Sequence, residues 1–547
     1  MNKYKDKLFL LIFTVLLILP VLSFFHAGIP LTHDGGDHVA RIANFYQNIT
    51  EGNLIPRWAG NLNWGYGHPI LEFLYPLSSY IASLLHLLGI SLVSSTVLVF
   101  ILGMTLSFVF MYLWLSRFLS KSAALFGAVL YTYAPYRFVE IYVRGDIGEN
   151  LAFAFIPLVL YFIYKLYKEN TFLNAILGGI SLSLLILSHN AISLMFMPFI
   201  VVYGVILLQK IKSKKSFIIS LILLLGVGLA LSAFFWIPGL LEGKYTLRNI
   251  VTKGVYVNGF VTFARLIYGP WNYGITGQFT VQLGIFQWIA LIASPFLIYK
   301  YRVKKDKDYI FIFFLLIFTL ISIFLMLPVS DFIWSRIILL QNFQFPWRFL
   351  AISVFTTAVL GAFLAENISK KFNITLTTVA IMLILFISSF YWSAGGYIQK
   401  PQSFYTGIYN STTDTGESAP IWSVRFMEHR PKAPLEVIDG KADIKSLERT
   451  STYHKYLVNV EKRTLFRENT LYFPGWKILA NGTPLSIEFQ NRDYRGVMTF
   501  FLDKGKYTIE VLYKETKLRA VSDLISLLAL FGIGIFLIFQ FVKRKIN

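Results

Sequence analysis

The chain has 547 residues, of which 56% are hydrophobic and 14% charged, and its formal net charge is +21. Soluble domains are usually about 45–50% apolar, so this composition argues against a soluble protein and favours a membrane protein. The excess basic residues lie in short segments between apolar stretches, which argues against a nucleic-acid partner, and the absence of cysteine excludes disulfide and thiol chemistry.

Twelve apolar stretches organise the chain, and none has Asp, Glu, Lys or Arg in its middle. Uncharged apolar runs of about 17–25 residues are typical of membrane-spanning helices. The first stretch follows several lysines and is longer than the ~7–15 residues of a signal-peptide core, so it predicts an uncleaved anchor. The stretches cover roughly 8–25, 92–115, 122–136, 150–164, 172–187, 191–209, 216–237, 283–299, 309–327, 346–365, 374–393 and 521–542.

The distribution of lysine and arginine predicts the orientation of these stretches. Basic residues crowd into every second connecting segment, which is the bias expected of cytoplasmic loops. Both termini are therefore predicted to be cytoplasmic. Residues 70–89 are also apolar, but counting them as a span would move every later basic segment outside, so we predict a helix on the outer face.

The predicted fold is an all-α polytopic membrane protein with about 12 transmembrane helices and a C-terminal extracytoplasmic β-sandwich-like domain. Residues 456–460 and 507–513 are β-branched and aromatic runs that predict strands. Asn481-Gly482, between the runs 476–480 and 483–487, is a strong hairpin signal. The predicted domains are 1–393, containing the first outer loop 26–91; the β-rich segment 394–520; and the final helix and basic tail 521–547.

The first outer loop carries the densest group of ionisable residues, His33-Asp34-Gly35-Gly36-Asp37-His38. A carboxylate in a partly buried cleft can act as a general base, so Asp34 and Asp37 are candidate catalytic residues. Asp37 also stands where a helix cap is expected, which is the alternative for that residue. The two His and two Asp could instead hold a divalent ion such as Mg²⁺ or Mn²⁺, and the sequence leaves this open.

The second outer segment, 137–149, alternates in charge close to the membrane. This pattern suits a substrate site in which arginine holds a phosphate and carboxylates serve an acceptor or a metal. The alternative is a solvated loop of ion pairs, which stabilises a protein only weakly. The candidate substrate-binding residues of this segment are Arg137, Arg144, Asp146 and Glu149.

Two further outer residues are candidates for phosphate contact. Arg348 follows Gln344-Phe345-Pro346-Trp347 at a helix mouth, where it could bind a lipid phosphate bidentately. It could equally extend to the lipid headgroups. His189 interrupts the apolar region between two spans, either as a phosphate contact or as an ordinary turn histidine.

Several short motifs resemble the GT-C superfamily of integral-membrane glycosyltransferases. They resemble most closely the YfhO-like proteins and the membrane proteins labelled "6-pyruvoyl-tetrahydropterin synthase-related". The motifs that carry the resemblance are the acidic first loop, Trp64-Gly65-Tyr66-Gly67-His68-Pro69, Ala134-Pro135-Tyr136, Phe345-Pro346-Trp347-Arg348-Phe349 and, for the outer β-domain, Tyr472-Phe473-Pro474-Gly475-Trp476-Lys477.

The resemblance implies transfer of a sugar from a polyprenyl-phosphate carrier to a glycan, lipid or protein acceptor on the outer face, usually with inversion. The first-loop acid of such enzymes stands four residues before a histidine, which corresponds to Asp34 before His38, so the resemblance implies that Asp34 is the general base. His38 is a further candidate substrate-binding residue. The resemblance does not decide whether the reaction requires a divalent metal.

Two alternatives remain, a membrane scaffold that binds glycolipid without turnover and a transporter or flippase. Transporters usually carry ionisable residues at mid-membrane, and the stretches here carry none there.

Overall fold

The computed structural model describes residues 2–273, 279–368 and 370–546. Residues 1, 274–278, 369 and 547, which fall inside the predicted domains, lie outside the described residues. The chain divides into two compact units. The first unit is Met1–Gly36, Val97–Ser232 and Gly254–Gln399, and the second is Asp37–Thr96, Ala233–Lys253 and Lys400–Asn547. The domain boundaries at 393/394 and 520/521 stay predictions.

The first unit is built from helices joined by short connections. Several of these helices begin with a side-chain cap that satisfies an otherwise unpaired backbone N–H. Ser120 and Thr171 cap the helices that follow them. The longer helices are Asn2–Ile18, Leu92–Leu115 (which begins in the second unit), Lys121–Thr132, Ile147–Lys168, Phe172–Ser188, Asn190–Leu208, Lys214–Leu231, Ile285–Val303, Asp308–Met326, Leu350–Glu366 and Lys370–Ser388; the shorter ones are Pro135–Val139, Phe263–Ile267, Asp331–Trp334 and Ile338–Gln341.

Seven helices of the described residues are long and apolar enough to cross a membrane, and each matches one of the twelve predicted stretches. Three more predicted stretches match shorter apolar helices, Phe9–Phe25, Phe172–Ser188 and Thr375–Tyr391. The seven are Leu92–Leu115, Ile147–Lys168, Asn190–Leu208, Lys214–Leu231, Asp308–Met326, Pro346–Glu366 and Lys517–Gln540.

The last two predicted stretches, 122–136 and 283–299, match helices that are too short or not apolar enough to be counted among these membrane-spanning candidates. Lys121–Thr132 has 12 residues, which is about 18 Å of helix and less than a bilayer core. Ile285–Val303 carries Lys300 and Arg302 in its last turn. In segment 70–89 the predicted helix is confirmed as two pieces, Ile70–Phe73 and Leu77–Leu87, separated at Pro76; its place on the outer face stays a prediction.

Helix Leu350–Glu366 occupies the centre of the first unit and is buried along almost its whole length. It packs against Lys121–Thr132, Ile285–Val303 and Asp308–Met326. Two hydrogen bonds link it to helix Asp308–Met326: the hydroxyl of Thr319 donates to that of Thr356 (2.7 Å), and the hydroxyls of Ser322 and Ser353 lie 2.6 Å apart. Small polar residues that bond to each other in this way let apolar helices pack closely without leaving polar atoms unpaired. A two-residue strand pair, β1 (Ile29–Pro30) with β2 (Tyr397–Ile398), joins the start of the segment 26–91 to the end of this unit.

The second unit contains an antiparallel sheet of six strands. The strands are β3 Leu435–Arg449, β4 Tyr453–Leu471, β5 Trp476–Ala480, β6 Thr483–Pro484, β7 Val497–Leu502 and β8 Gly505–Tyr513, in the order β3-β4-β8-β5-β6, with β7 paired to the second half of β4. Its helices are Gly35–Thr50 (which begins in the first unit), Ile70–Phe73, Leu77–Leu87, Ala233–Leu241, Arg248–Val251, Gln402–Thr406 and Lys517–Ile546.

The predicted β-rich segment is confirmed, including the hairpin at Asn481-Gly482. Both turn residues have positive φ, 49° and 81°, as a two-residue hairpin turn requires. The core of the sheet also contains Trp58, Tyr66 and Phe73 from the segment 26–91. The Trp58 and Trp476 rings meet edge to face with centroids 5.4 Å apart. The aromatic residues of that segment therefore build the core of the second unit.

Candidate functional site

A buried ion cluster centred on Arg144 is the most concentrated group of charges in the first unit. A π-type turn, Glu140–Arg144, ends at Gly145 in the left-handed conformation, and such turns are frequent at functional sites. The Nη1 group of Arg144 donates to both oxygens of Glu140 (2.7 and 2.6 Å) and to Glu149 (2.9 Å), while Nη2 donates to Asp146 (2.9 Å). Arg144 therefore binds three carboxylates at once, and all four side chains are at most 8% exposed.

Asp146 connects this cluster to the helix that follows it. Its Oδ1 accepts the backbone N–H of Glu149 (2.8 Å) and so caps helix Ile147–Lys168. Burial opposes the ionisation of Asp146, but the attraction of Arg144, and then of His189 and Arg348, outweighs burial and holds the pKa of this carboxyl well below its usual range. Asp146 is therefore a carboxylate at any physiological pH.

His189 faces Asp146 from the turn between two long helices. Its Nδ1 accepts the backbone N–H of Ile192 (3.2 Å) and caps helix Asn190–Leu208, and its Nε2 lies 3.7 Å from Asp146 Oδ2. Burial lowers the pKa of His189 to about 4, because the attraction of Asp146 offsets only part of the loss of hydration. The imidazole is thus neutral at pH 7.

Asp146, Glu149 and His189 have one ligand atom each within 4.8 Å of the others, a spacing close enough to surround a divalent ion. A neutral imidazole has one N–H and one lone pair. Because Nδ1 accepts the Ile192 N–H, Nε2 carries the proton and has no lone pair for a metal. One carboxylate oxygen of Asp146 and one of Glu149 already accept a hydrogen bond from Arg144. The arrangement does not fit a divalent metal.

Arg348 approaches the cluster from a distant part of the sequence. Its Nη1 donates to the carbonyl of Phe343 (2.9 Å), and its Nε lies 3.4 Å from Glu149 without forming a hydrogen bond. The indole of Trp347 covers Arg144, whose guanidinium carbon lies 4.6 Å from the ring centroid. In contrast to Arg144, Arg348 keeps N–H groups that an anion could use.

The predicted catalytic residue Asp34 meets the cluster through its backbone. The backbone N–H of Asp34 donates to the carbonyl of Arg144 (2.8 Å), and that of His33 donates to the carbonyl of Val143 (3.0 Å). Gly145 makes this approach possible, since a Cβ there would lie 2.2 Å from the hydroxyl of Thr32. The Asp34 side chain is half-buried. The structure thus joins Arg144, Asp146, Glu149, His189 and Arg348 to the backbone of Asp34.

Arg137 has different surroundings. It is fully buried, donates to Asn150 (2.9 Å) and Ser107 (3.3 Å), and lies 4.0 Å over the Phe153 ring. No carboxylate of the described residues lies within 4.0 Å of it. Its substrate-binding role stays a prediction that these contacts do not support.

The other two predicted residues of the first loop, Asp37 and His38, belong to the second unit. The helix begins at Gly35, so Asp37 lies inside its first turn and not before it. Its Oδ1 accepts from the hydroxyl of Tyr409 (3.0 Å). His38 Nδ1 lies 3.2 Å from Arg41 Nη1, and Arg41 Nε donates to the hydroxyl of Thr413 (2.8 Å).

Sequence reasoning missed Arg41, Tyr409 and Thr413. The spacing of His38 and Arg41, three residues apart on one helix, is a signal that could have paired them. The segment 409–413 carried no such signal, because only the tertiary fold brings it to the first-loop helix. The same segment binds the turn at Asn63-Trp64: the N–H of Asn63 donates to Ser411 and that of Trp64 to Tyr409, both at 2.9 Å.

Backbone strain is concentrated where the segment 61–67 contacts the segment 409–413. Asn63, Trp64 and Thr413 have φ of 54°, 61° and 64°, and they are half of the six described residues other than glycine with positive φ. Such conformations cost on the order of 1–3 kcal/mol each and cluster at functional sites. The contact between 61–67 and 409–413 is therefore a second candidate region, separate from the Arg144 cluster.

The fold defines a multi-pass membrane protein with a largely helical unit and an antiparallel sheet in its C-terminal part. Residues 71–394, more than half of the chain, match the model of a family described as "6-pyruvoyl-tetrahydropterin synthase related domain; membrane protein". The chain belongs to this family of membrane proteins.

Among curated proteins, the chain is similar to an uncharacterized protein of Lactococcus lactis subsp. cremoris, with 24% identity over 368 residues. The match covers 63% of this chain and 55% of the relative, so the chain spans about half the length of the relative.

Among solved structures, it is similar to the arabinofuranosyltransferase AftD from Mycobacteria, with a TM-score of 0.42, 14% identity and coverage of 70% of this chain and 26% of that one. A mutant form of AftD has a TM-score of 0.37 and 13% identity, covering 70% of this chain and 27% of that one. Likeness at this level does not bear on the activity of the chain.

Proposed function

We propose that this protein is a membrane glycosyltransferase that transfers a sugar from a polyprenyl-phosphate carrier to an acceptor on the outer face of the cell membrane. The single observation that carries the proposal is the hydrogen bond from the Asp34 amide to the Arg144 carbonyl. It joins an acid of the first outer loop to the ion cluster of the second. The resemblance of the loop motifs to GT-C glycosyltransferases and the membership of a membrane protein family agree with it.

In the proposed reaction, the half-buried carboxylate of Asp34 acts as general base. It takes the proton of an acceptor hydroxyl or amide as the acceptor atom attacks the anomeric carbon of the sugar. The bond from that carbon to the phosphate oxygen breaks, and the carrier leaves as polyprenyl phosphate. Attack from the side opposite the leaving phosphate inverts the anomeric configuration.

Arg348 is the proposed contact for the leaving phosphate. Negative charge builds on that group as the sugar bond breaks, and preorganised cationic donors are the usual means of stabilising such charge. Arg348 is 7% exposed, and its Nε lies 3.4 Å from Glu149 without making a hydrogen bond, so a phosphate could accept from this N–H without breaking an existing hydrogen bond. Arg144, which already binds three carboxylates, would hold the loop in place.

Sugar transfer by the Asp34→Asn variant tests this proposal. Full-length protein in lipid vesicles is supplied with labelled polyprenyl-phosphate sugars and a membrane extract as acceptor source. Removal of a general base usually costs about 10²–10⁴-fold in rate, so we expect transfer to fall by that factor while carrier binding and melting temperature stay unchanged. Asp306→Asn, in an exposed loop, is the matched control. Transfer by Asp34→Asn at the wild-type rate would exclude the base role.

A second candidate function, a scaffold that binds glycolipid without turnover, has one observation in its favour. Each carboxylate of the Arg144 cluster is already paired with arginine, as in a purely structural ion cluster. The two candidate functions predict different results for the wild-type protein in this assay. Binding of the labelled carrier with no transfer to any component of the extract would support the scaffold, whereas transfer would exclude it.

A further inference from the structure

The second unit has a small groove between two loops that no part of the proposed transfer reaction uses. The groove has a volume of about 280 Å³ and is lined by Ile421, Trp422, Ser423, Gln490, Arg492 and Arg495. Small-molecule sites usually span about 300–1,000 Å³, so this groove has room for one substituted ring rather than for a long chain.

Aromatic packing fixes one wall of the groove. Trp422 stacks on Tyr245, with ring centroids 5.9 Å apart and planes 23° apart. It meets Tyr472 and Phe489 edge to face at 5.5 and 5.1 Å, and these two rings are themselves stacked at 3.7 Å. Trp422 is nevertheless only half-buried. The four half-buried rings therefore pack as one cluster, and Trp422 is the member that lines the groove.

A close backbone approach fixes the other wall. Gly496 has φ +78°, and a Cβ at this position would lie 2.5 Å from the Cβ of Ser423. The carbonyl of Gly496 accepts from Tyr472 (2.6 Å), and its N–H donates to Phe489 (3.0 Å). Only glycine combines this φ with such close packing, so the loop that carries Arg492 and Arg495 is held firmly against the Trp422 segment.

The two arginines of the groove differ from the other arginines of the sheet. Arg449, Arg463 and Arg467 each lie within 4.0 Å of a carboxylate. Among the described residues, Arg492 and Arg495 have no such partner, and both side chains are exposed. The groove therefore presents two arginines that form no ion pair within 4.0 Å in the described part of the chain, beside an aromatic ring.

We propose that this groove binds an anionic sugar, that is, a hexose ring bearing a phosphate or a carboxylate. The guanidinium groups of Arg492 and Arg495 match such anions in geometry and charge. The amide of Gln490 can both donate to and accept from sugar hydroxyls, and the indole of Trp422 provides an apolar face for the ring. The site requires no transfer reaction and stands independently of the function proposed above.

Binding of glucose 1-phosphate and glucuronate to the full-length protein in nanodiscs, measured by isothermal titration calorimetry, tests the proposal. Glucose and inorganic phosphate are the comparison probes. A hydrogen bond to a charged group contributes roughly 1.5–3 kcal/mol, so we expect the Arg492→Ala, Arg495→Ala double variant to bind the anionic sugars at least about tenfold more weakly. Both side chains are exposed, and the variant should therefore keep the wild-type melting temperature.

Arg463→Ala, an exposed arginine on the same sheet that is paired with Asp503, is the matched control and should bind as the wild type does. Asp34→Asn should also bind as the wild type does, which separates this groove from the proposed transfer site. Equal affinity for inorganic phosphate and glucose 1-phosphate would exclude a contact with the sugar ring. Undiminished binding by the double arginine variant, or no binding by the wild type at millimolar concentrations, would overturn the proposal.

Discussion

Asp34 donates its backbone N–H to the carbonyl of Arg144 at 2.8 Å, which joins the segment 26–91 to the segment 137–149. The bond uses main-chain atoms on both sides, so it leaves the Asp34 carboxylate and the Arg144 guanidinium to other partners. Arg144 binds Glu140, Asp146 and Glu149. The two arginines therefore differ in role. Arg144 is already bound by three carboxylates, whereas Arg348 can still bind an anion.

The first prediction concerns this division. Arg144→Met would leave three buried carboxylates without their cation, and breaking a buried ion pair typically costs about 3–5 kcal/mol. Arg348→Met would lose one hydrogen bond to Phe343, worth about 0.5–1.5 kcal/mol, and the 3.4 Å ion pair with Glu149, which keeps its hydrogen bond from Arg144. We expect a large fall in melting temperature for Arg144→Met and a small one for Arg348→Met, with sugar transfer impaired in both. Equal stability of the two variants would contradict the separation of roles.

The second prediction concerns divalent metal. Because His189 Nε2 carries the proton and one oxygen each of Asp146 and Glu149 already accepts from Arg144, a chelator should leave sugar transfer unchanged. The measurement compares the transfer rate in vesicles before and after treatment with EDTA, then after addition of Mg²⁺ or Mn²⁺. Loss of transfer that either ion restores would contradict this prediction and show that transfer requires a divalent ion.

The third prediction concerns pH. The pKa of His189 is lowered to about 4 in the folded protein from the ordinary 6.5, so the unfolded state binds this proton more readily. Stability from a neutral His189 is complete above about pH 6.5 and falls as the pH drops towards 4, by about 3 kcal/mol over that window. Asp146 stays ionised throughout, because its pKa lies below the window.

The His189→Asn variant separates the effect of His189 protonation on stability from the effect of losing the helix cap. Asparagine can still cap helix Asn190–Leu208 but does not titrate. Melting temperature measured from pH 7.5 to pH 5 should fall less in His189→Asn than in the wild type. A parallel fall in both proteins would assign the acid sensitivity to other groups.

The fourth prediction concerns Gly67, in the aromatic turn of the first loop. Its φ is +79°, and a Cβ would lie 2.4 Å from the indole nitrogen of Trp58, a residue of the sheet core. Gly52 has φ +95° with no atom within 4 Å of a Cβ. Gly67→Ala should lower the melting temperature more than Gly52→Ala, because overpacking adds roughly 1–3 kcal/mol to the backbone strain that both share. Equal losses would mean that Trp58 moves aside without cost.

Much of the architecture could be predicted from local pattern. Long uncharged stretches such as 92–115 have one stable form in lipid, because a helix satisfies every backbone group internally. Asn481-Gly482 between two β-branched runs predicted its hairpin for an equally local reason, the positive φ that both residues adopt. The stretch at 122–136 was harder, since its apolar composition suits a buried helix of 12 residues as well as a membrane span.

The candidate site was only partly predictable. The alternation of charge at 137–149 predicted a polar cluster, and Arg144, Asp146 and Glu149 do lie together. The same alternation could not tell Arg144 from Arg137, which points among Asn150, Ser107 and Phe153 instead. The pairing of Asp37 with Tyr409 had no local signal at all, because the two residues are distant in sequence.

The sequence by itself determined where the chain is apolar, where it turns and which segments are charged, since these depend on hydration and backbone preferences of neighbouring residues. The tertiary structure alone decided which charges neutralise each other, which nitrogen of His189 carries a proton, and which arginines remain without a carboxylate. These outcomes depend on distances of a few ångströms between groups from separate segments, where burial strengthens every charge interaction and leaves little freedom to rearrange.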